Sequence, residues 1–419
     1  MVLRFPQWPR KSRRRGAVWG WKVTMPGRRA IAAGALALAL AFLAFMNARV
    51  GVGLMVMPDT RWGPGFDIFR PQMAALQVEQ AKPGFGGQKA VSRIATKSLE
   101  QAPLNARALR MLALNDDLAG RKQVAAAKMM MVDRLSRREG VAQLWLADFR
   151  GREGNVGAAL HHMDVMLRTT PRATDPLLVR MALAIRLPAA RKAIRPFMKA
   201  STPWVERFFY ISLQNASNAK PLGELVASLD RAPTVDGLEN SYRTLVYHLS
   251  SQRHYDTLLN AYPKMPGVSM SDLFDVSLAS AGSNNGYGPV IWDFGTRSDR
   301  GGALLKRDEA EFFAIGDVRG VAATKVVYFK QGTPRQLLFR KLEGDPGERS
   351  QAFWRISCVL GAGDGRVVQS VNLLEMADNA QGKLAIPQNC GAVTMELMVD
   401  GGTRRSPTRV VLSDIRLGS

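Results

Sequence analysis

The chain of 419 residues has room for about two to four domains. Hydrophobic residues make up 46% of it and charged residues 22%, which excludes wholesale disorder and collagen-like repeats. The net charge of +23 is unevenly placed: residues 1–57 hold ten Lys or Arg and no acidic residue, residues 58–273 hold 30 basic and 19 acidic residues, and residues 274–419 hold 18 and 16. A uniformly basic surface for nucleic acid is therefore not expected.

The first 57 residues are typical of a membrane-targeting segment. Nine Lys or Arg residues precede an uncharged apolar run, Ala30–Met46, and apolar residues resume after Arg49. As a helix this run spans about 26 Å, at the short end of what crosses a bilayer. We expect residues 1–29 to be a basic cytoplasmic tail and residues 30–57 to be a transmembrane anchor with a juxtamembrane segment. A cleaved signal peptide is the alternative.

Residues 58–273 contain a repeat with a period of 34 residues. Positions that match at this offset are Leu112-Ala113 with Leu146-Ala147, Gly120 with Gly154, and Ala125 with Ala159. Small residues let paired helices approach closely, and a glycine ends the first helix of a pair without steric cost. This pattern resembles the tetratricopeptide repeat (TPR), which implies a TPR-like α-helical solenoid over residues 58–273. An irregular helical bundle is the alternative.

The resemblance to this repeat family implies a concave groove lined by the first helix of each pair. The family's groove-facing positions fall in this sequence on Arg107, Arg110, Leu114, Asp117, Leu118, Val141, Leu144, Asp148 and Arg152. Such a mixed-charge groove implies binding of an extended peptide or a helix from a partner protein. The alternative is that these positions are solvated helix faces.

Residues 274–419 change to a two-residue periodicity that predicts short strands separated by Gly-rich turns. The predicted strands are Pro289–Phe294, Gly302–Lys306, Glu311–Ile315, Ala322–Lys330, Arg335–Lys341, Gln351–Val359, Arg366–Leu373, Lys383–Ile386, Ala392–Val399 and Arg409–Leu417. Their even spacing favours an antiparallel β-sandwich or barrel.

The strand rhythm resembles carbohydrate-binding-type jelly rolls. In such modules an exposed aromatic ring stacks on a sugar, and Tyr287, in the loop of residues 282–288, is the best candidate for glycan contact. Trp354 and Trp292 are expected in the core, since they alternate with other apolar residues.

Two cysteines, Cys358 and Cys390, fall in the predicted β-domain. Both lie on or near inward-facing positions of predicted neighbouring strands, so one disulfide or two unpaired core thiols are the alternatives. The nucleotide-binding, metalloprotease and hydrolase motifs GxxxxGK[ST], HExxH and GxSxG do not occur. No catalytic residue, metal site or cofactor is therefore predicted, and the chain is not expected to be an enzyme.

As a whole, the chain resembles membrane-anchored TPR proteins of alphaproteobacteria. The resemblance implies a single-pass inner-membrane protein with a cytoplasmic N-terminus and its bulk in the periplasm. It also implies a scaffold or adaptor that recruits a protein partner, within an exopolysaccharide or envelope assembly system. The rival hypothesis is a polysaccharide-binding module displayed on a helical stalk, and neither hypothesis includes a nucleic-acid partner.

Overall fold

The computed structural model describes residues 87–169, 174–281, 286–295, 297–330, 333, 335–403 and 406–418. The chain divides into two units, one that ends at Asn105 and one that comprises Ala106–Ser419. In the first unit the described part contains helix α1, Gly87–Gln101. The predicted boundary between residues 273 and 274 lies inside the second unit.

The second unit begins with two helical hairpins of matching length. They consist of α2 (Ala106–Leu118) with α3 (Lys122–Leu135) and α4 (Gly140–Arg152) with α5 (Val156–Thr169). Every bound of the second hairpin lies 34 residues after the corresponding bound of the first. Gly120 and Gly154 follow the first helix of each hairpin with φ of +78° and +76°, a conformation that glycine adopts without steric cost.

Six further helices continue the hairpin order. They are α6 (Thr174–Ala184), α7 (Pro188–Ile194), α8 (Val205–Leu213), α9 (Ala219–Ala227), α10 (Leu238–Ser251) and α11 (Tyr255–Ala261). Helix α8 packs against both α6 and α10, while α9 packs against α7 and α11. First helices therefore lie beside first helices, and second helices beside second helices. Short 3-10 turns follow α11 as far as Ser280.

In the part of the chain that the structure describes, nine antiparallel strands form two sheets. The strands are β1 (Arg300–Lys306), β2 (Glu309–Ala314), β3 (Arg319–Tyr328), β4 (Gln336–Asp345), β5 (Gln351–Gly361), β6 (Val367–Gln369), β7 (Gln381–Ala385), β8 (Cys390–Asp400) and β9 (Thr408–Gly418). One sheet has the order β1-β2-β9-β4-β7 and the other the order β3-β8-β5-β6. Side chains of both sheets, such as Phe312 and Trp354, share one apolar core. Trp292 and Trp354 are buried in it, so their predicted core positions are confirmed.

The helices share a second core with one of the two sheets. This core contains Phe208, Phe209 and Tyr242 from the helices together with Val326 and Tyr328 from β3. The Tyr328 hydroxyl donates a hydrogen bond of 2.8 Å to the Tyr255 carbonyl oxygen at the start of α11. Arg253 also pairs with Asp364 across the same junction. Burial of large apolar side chains from both sides therefore joins the helices to the β3-β8-β5-β6 sheet.

The predicted fold class needs a correction. It included an N-terminal transmembrane helix, but within the described residues no helix is both long enough and apolar enough to cross a membrane. The longest of them, α1, has 15 residues, or about 22 Å of helix, against a hydrocarbon thickness of about 30 Å. The segment on which the prediction rested, residues 30–57, lies outside the described residues. The structure supports a run of helices followed by antiparallel sheets.

One predicted strand, Pro289–Phe294, is not a strand. Its backbone turns, since Val290 N donates to Tyr287 O, and only Asp293 forms an isolated bridge, with Thr324 of β3. A proline has no N–H to donate to a strand partner, which disfavours regular pairing at the start of this segment. The turn places Ile291, Trp292 and Asp293 beside α10, where they line a cleft.

Candidate functional site

The structure brings two residues of the predicted groove together around one carboxylate. Arg110 Nη1 lies 2.8 Å from Glu139 Oε2, and Arg107 Nε lies 3.6 Å from Glu139 Oε1. Glu139 immediately precedes α4, so this cluster ties the first hairpin to the second. Both arginines therefore have a structural role, and reversing their charge would test the stability of the hairpins as well as partner binding.

The remaining polar groove positions also interact within the protein. Asp117 accepts a hydrogen bond of 3.0 Å from the Trp145 indole N–H, which links α2 to α4. Asp148 and Arg152 form an exposed pair one turn apart on α4, at 2.7 Å. An exposed pair of this kind contributes only about 0.3–0.5 kcal/mol to stability, so both side chains can exchange partners at little cost.

The apolar groove positions differ in exposure. Leu118, Val141 and Leu144 are exposed, whereas Leu114 is half-buried. The three exposed side chains lie on α2 and α4, the first helices of their hairpins. Five of the nine predicted positions therefore face solvent and do not connect one hairpin to the other. They are these three apolar residues and the Asp148–Arg152 pair.

Tyr287 is not a surface aromatic, and its prediction as a glycan contact is wrong. Only 3% of it is exposed, and its ring packs near Tyr242 and Tyr262 at centroid distances of 6.0 and 6.3 Å. Its hydroxyl donates to Pro266 O at 3.1 Å, and burial raises its pKa to about 12. A ring enclosed in this way cannot stack on a sugar.

The two cysteines form a disulfide in the structure. Cys358 of β5 and Cys390 of β8 have Cα atoms 5.7 Å apart, and both are buried in the core between the sheets. The bond joins the end of one strand to the start of its neighbour. Gly363 faces both sulfur atoms, because a Cβ at this position would lie within 3.1 Å of each.

The neighbouring histidines His161 and His162 differ in their surroundings, since the His161 side chain is exposed to solvent and that of His162 is not. His162 is buried, and its Nδ1 lies 2.8 Å from Gln143 Oε1 on α4. Burial lowers the His162 pKa, with Asp133 opposing the shift. Within the described ranges no cluster of three His, Cys, Asp or Glu side chains could hold a metal ion.

A cleft of about 480 Å³ opens between α10 and the turn that precedes β1. Its lining residues are Arg243, Thr244, Tyr247 and His248 from α10, with Gly288, Ile291, Trp292 and Asp293 from the turn. The volume falls within the range of about 300–1,000 Å³ that is usual for small-ligand sites. The cleft is thus a candidate binding site that combines exposed aromatic surface with groups of both charges.

The electrostatics of the cleft depend on Asp293 and Arg243. The carboxyl of Asp293 reaches solvent, but the protein around it removes much of its hydration, which raises its pKa. The Arg243 guanidinium opposes this shift, and it also pairs with Glu239 one turn earlier on α10, at 3.0 Å.

Sequence reasoning did not find this cleft. Its two walls come from segments about 45 residues apart, and one of them was predicted as a regular strand. One signal was present: Tyr247 lies off the buried face of α10 formed by Tyr242, Leu245 and Leu249. Its exposed ring is the local feature that distinguishes this side of α10 from an ordinary polar helix face.

No protein-family model and no curated protein matches the chain. Among solved structures, 30% of the chain is similar to a chain of the "Glycosylation Associate Protein (Gap123) complex from Streptococcus agalactiae", with 12% sequence identity and a TM-score of 0.21. The match covers 24% of that chain. A similarity this low identifies neither a fold nor a function.

Proposed function

We propose that this protein is a non-enzymatic adaptor that holds a partner protein on the exposed side of its first helices. The proposal rests on the positions of the large apolar side chains that remain exposed on the helices. They occur on first helices as Leu118 on α2, Val141 and Leu144 on α4, Val179 and Leu183 on α6, Tyr210 on α8 and Tyr247 on α10. We call these seven residues the first-helix row.

The second helices differ from the first. Within the described residues, α5, α7, α9 and α11 expose no large apolar side chain, whereas α3 exposes four, Val124, Met130, Met131 and Leu135. The contrast therefore holds for the four hairpins from α4 onward. Opposite the row, Leu178, Phe208 and Leu245 are buried in the helical core. Exposed apolar side chains concentrated on neighbouring helices support an interaction surface there.

The charge of the helical segment indicates the chemistry of the partner. Residues 58–273 carry 30 basic against 19 acidic residues, and exposed arginines flank the row, among them Arg180 and Arg207. Like charges across an interface oppose binding, and opposite charges favour it. We therefore propose an amphipathic segment with acidic flanks as the partner's contribution.

The disulfide supports a further part of the proposal, that the adaptor works outside the cytoplasm. Disulfides such as Cys358–Cys390 persist in oxidising compartments and are rare where thiol reductants act. The thiol state of protein taken from cells without reduction tests this part separately from partner binding.

The partner proposal is tested with the double variant Val179→Asp/Leu183→Asp in the full-length chain. Both side chains are exposed, at 47% and 51%, so the substitutions should leave the fold intact. They place two carboxylates in the row and remove two apolar contacts. We expect the affinity for the partner to fall at least about tenfold, which corresponds to about 1.4 kcal/mol.

The matched control is Val124→Asp/Met131→Asp on the second helix α3. Those side chains are 46% and 53% exposed, so the change in charge and in exposed apolar surface is nearly the same. A protein recovered by crosslinking pull-down with the wild type is purified, and its affinity for all three proteins is measured. Equal affinities for the three proteins, or a loss confined to the α3 control, would contradict the proposal.

A further inference from the structure

The cleft beside α10 has an aromatic side that is open to solvent. Tyr247 is 58% exposed, and its ring lies at an edge-on angle to His248, with 5.7 Å between ring centroids. Trp292 is buried and donates its indole N–H to Val276 O at 3.1 Å. Ile291, half-buried in front of Trp292, offers carbon surface to the cleft, and Tyr247 offers a ring that a flat ligand can approach.

The polar side of the cleft is held in a fixed position. The Asp293 N–H and C=O each bond to Thr324 of β3 at 2.9 Å, so the backbone under this carboxylate belongs to the sheet. Gly288 leaves room beside it, since a Cβ there would lie 3.0 Å from Asp293 Cβ. On the other wall, Arg243 and Thr244 project from α10, a regular helix of 14 residues. Groups on rigid elements can bind a ligand with little loss of conformational entropy.

The mixture of charges limits what can bind. Asp293 would repel a strongly anionic ligand, and Arg243 would repel a strongly cationic one. A neutral polyhydroxylated ligand satisfies both, because each hydroxyl accepts from the guanidinium and donates to the carboxylate. The Thr244 hydroxyl donates to Asn240 O at 2.8 Å and keeps lone pairs that can accept a further bond.

We infer that this cleft binds a saccharide, with a sugar ring packed against Tyr247 and its hydroxyls bonded to Asp293 and Arg243. A sugar ring has an apolar face of C–H groups and an equator of hydroxyls, which matches one aromatic wall beside polar groups of both kinds. The open sides of the cleft suit a short stretch of a glycan chain. This inference goes beyond the adaptor proposal: it shares Tyr247 with the first-helix row but does not depend on partner binding there.

The test is binding of the full-length protein to a glycan array that carries neutral and uronic-acid-containing oligosaccharides. The best-bound glycan is then titrated by calorimetry into the wild type and four variants. We expect Tyr247→Ala and Asp293→Asn each to lower the affinity at least about tenfold, as is usual for residues at the centre of a binding site.

Tyr210→Ala is the matched control, because Tyr210 is also an exposed tyrosine on a first helix but does not line the cleft. Its affinity should stay within about twofold of the wild type, as for surface substitutions away from a site. An array without bound glycan, or an equal loss of affinity in Tyr210→Ala, would overturn the inference. Val179→Asp/Leu183→Asp should bind the glycan normally, so failure of the adaptor proposal can be told apart from failure of this one.

Discussion

Replacing both cysteines in the variant Cys358→Ala/Cys390→Ala should lower the free energy of unfolding by about 3–4 kcal/mol. The bond closes a loop between residues 32 apart, and a crosslink over that length removes about this much entropy from the unfolded chain. Both side chains are also buried between the sheets, so the alanines leave unfilled space in the core. Urea unfolding of the wild type and the variant measures the difference.

Reduction distinguishes the contribution of the crosslink to stability from that of the buried sulfur atoms. Adding dithiothreitol to the wild type breaks the crosslink and leaves the side-chain volume nearly unchanged, so its stability should fall by a similar amount, while the variant should not respond. Thiol labelling of the unfolded, unreduced wild type should find no free cysteine. Quantitative labelling of both cysteines would show that the bond is absent from the protein in solution.

The parts of the fold that depend on local spacing were predictable from the sequence. The 34-residue offset placed Gly120 and Gly154 after the first helices, where the backbone is left-handed. The alternation around Trp354 placed that side chain in the core, and it is completely buried. Both signals are patterns along the chain itself, a repeat at a fixed offset and an alternation within one strand, so they do not depend on which distant segments meet.

The features that depend on distant segments were not predictable in this way. Tyr287 follows a loop of Gly, Ser and Asn, which is typical of a surface segment, yet its ring is enclosed by Tyr242 and Tyr262. The cleft requires α10 to lie beside the turn at Asp293, a contact that the shared core of helices and sheet produces. One sequence carries no direct record of such a contact, because the same amphipathic helix can pack on many partners.

Lys325 is a buried charge that makes the stability of the protein sensitive to pH. It lies on β3 with none of its surface exposed, and its Nζ donates a hydrogen bond of 2.7 Å to Val290 O. Loss of hydration lowers its pKa from 10.5 to about 8, and Asp275 and Asp272 oppose the shift. A single carbonyl partner does not replace the water that an ammonium group loses on burial.

This shift makes the stability of the protein depend on pH. Between pH 8 and 10.5 the unfolded chain binds the Lys325 proton and the folded protein releases it, so the free energy of unfolding rises with pH. At 1.36 kcal/mol per unit of pKa, the rise amounts to about 3 kcal/mol. Burial also raises the pKa of Tyr242, Tyr262 and Tyr328, so the unfolded chain ionises first there and stability falls above pH 10.

The variant Lys325→Met should therefore be more stable than the wild type at pH 7 and less stable at pH 10.5. At pH 7 it gains about 3 kcal/mol from the absent ammonium and loses about 1 kcal/mol with the hydrogen bond to Val290 O. At pH 10.5 the folded lysine is neutral and the unfolded lysine is half neutral, so most of the burial penalty has vanished and the lost hydrogen bond dominates. Urea unfolding of both proteins at intervals across this pH range gives the difference in their free energies of unfolding. The tyrosine contributions cancel in this difference because both proteins contain the same tyrosines. Two stability curves that run parallel from pH 7.5 to 10.5 would show that Lys325 keeps its proton equally in the folded and unfolded chain, and this account of its burial would then be wrong.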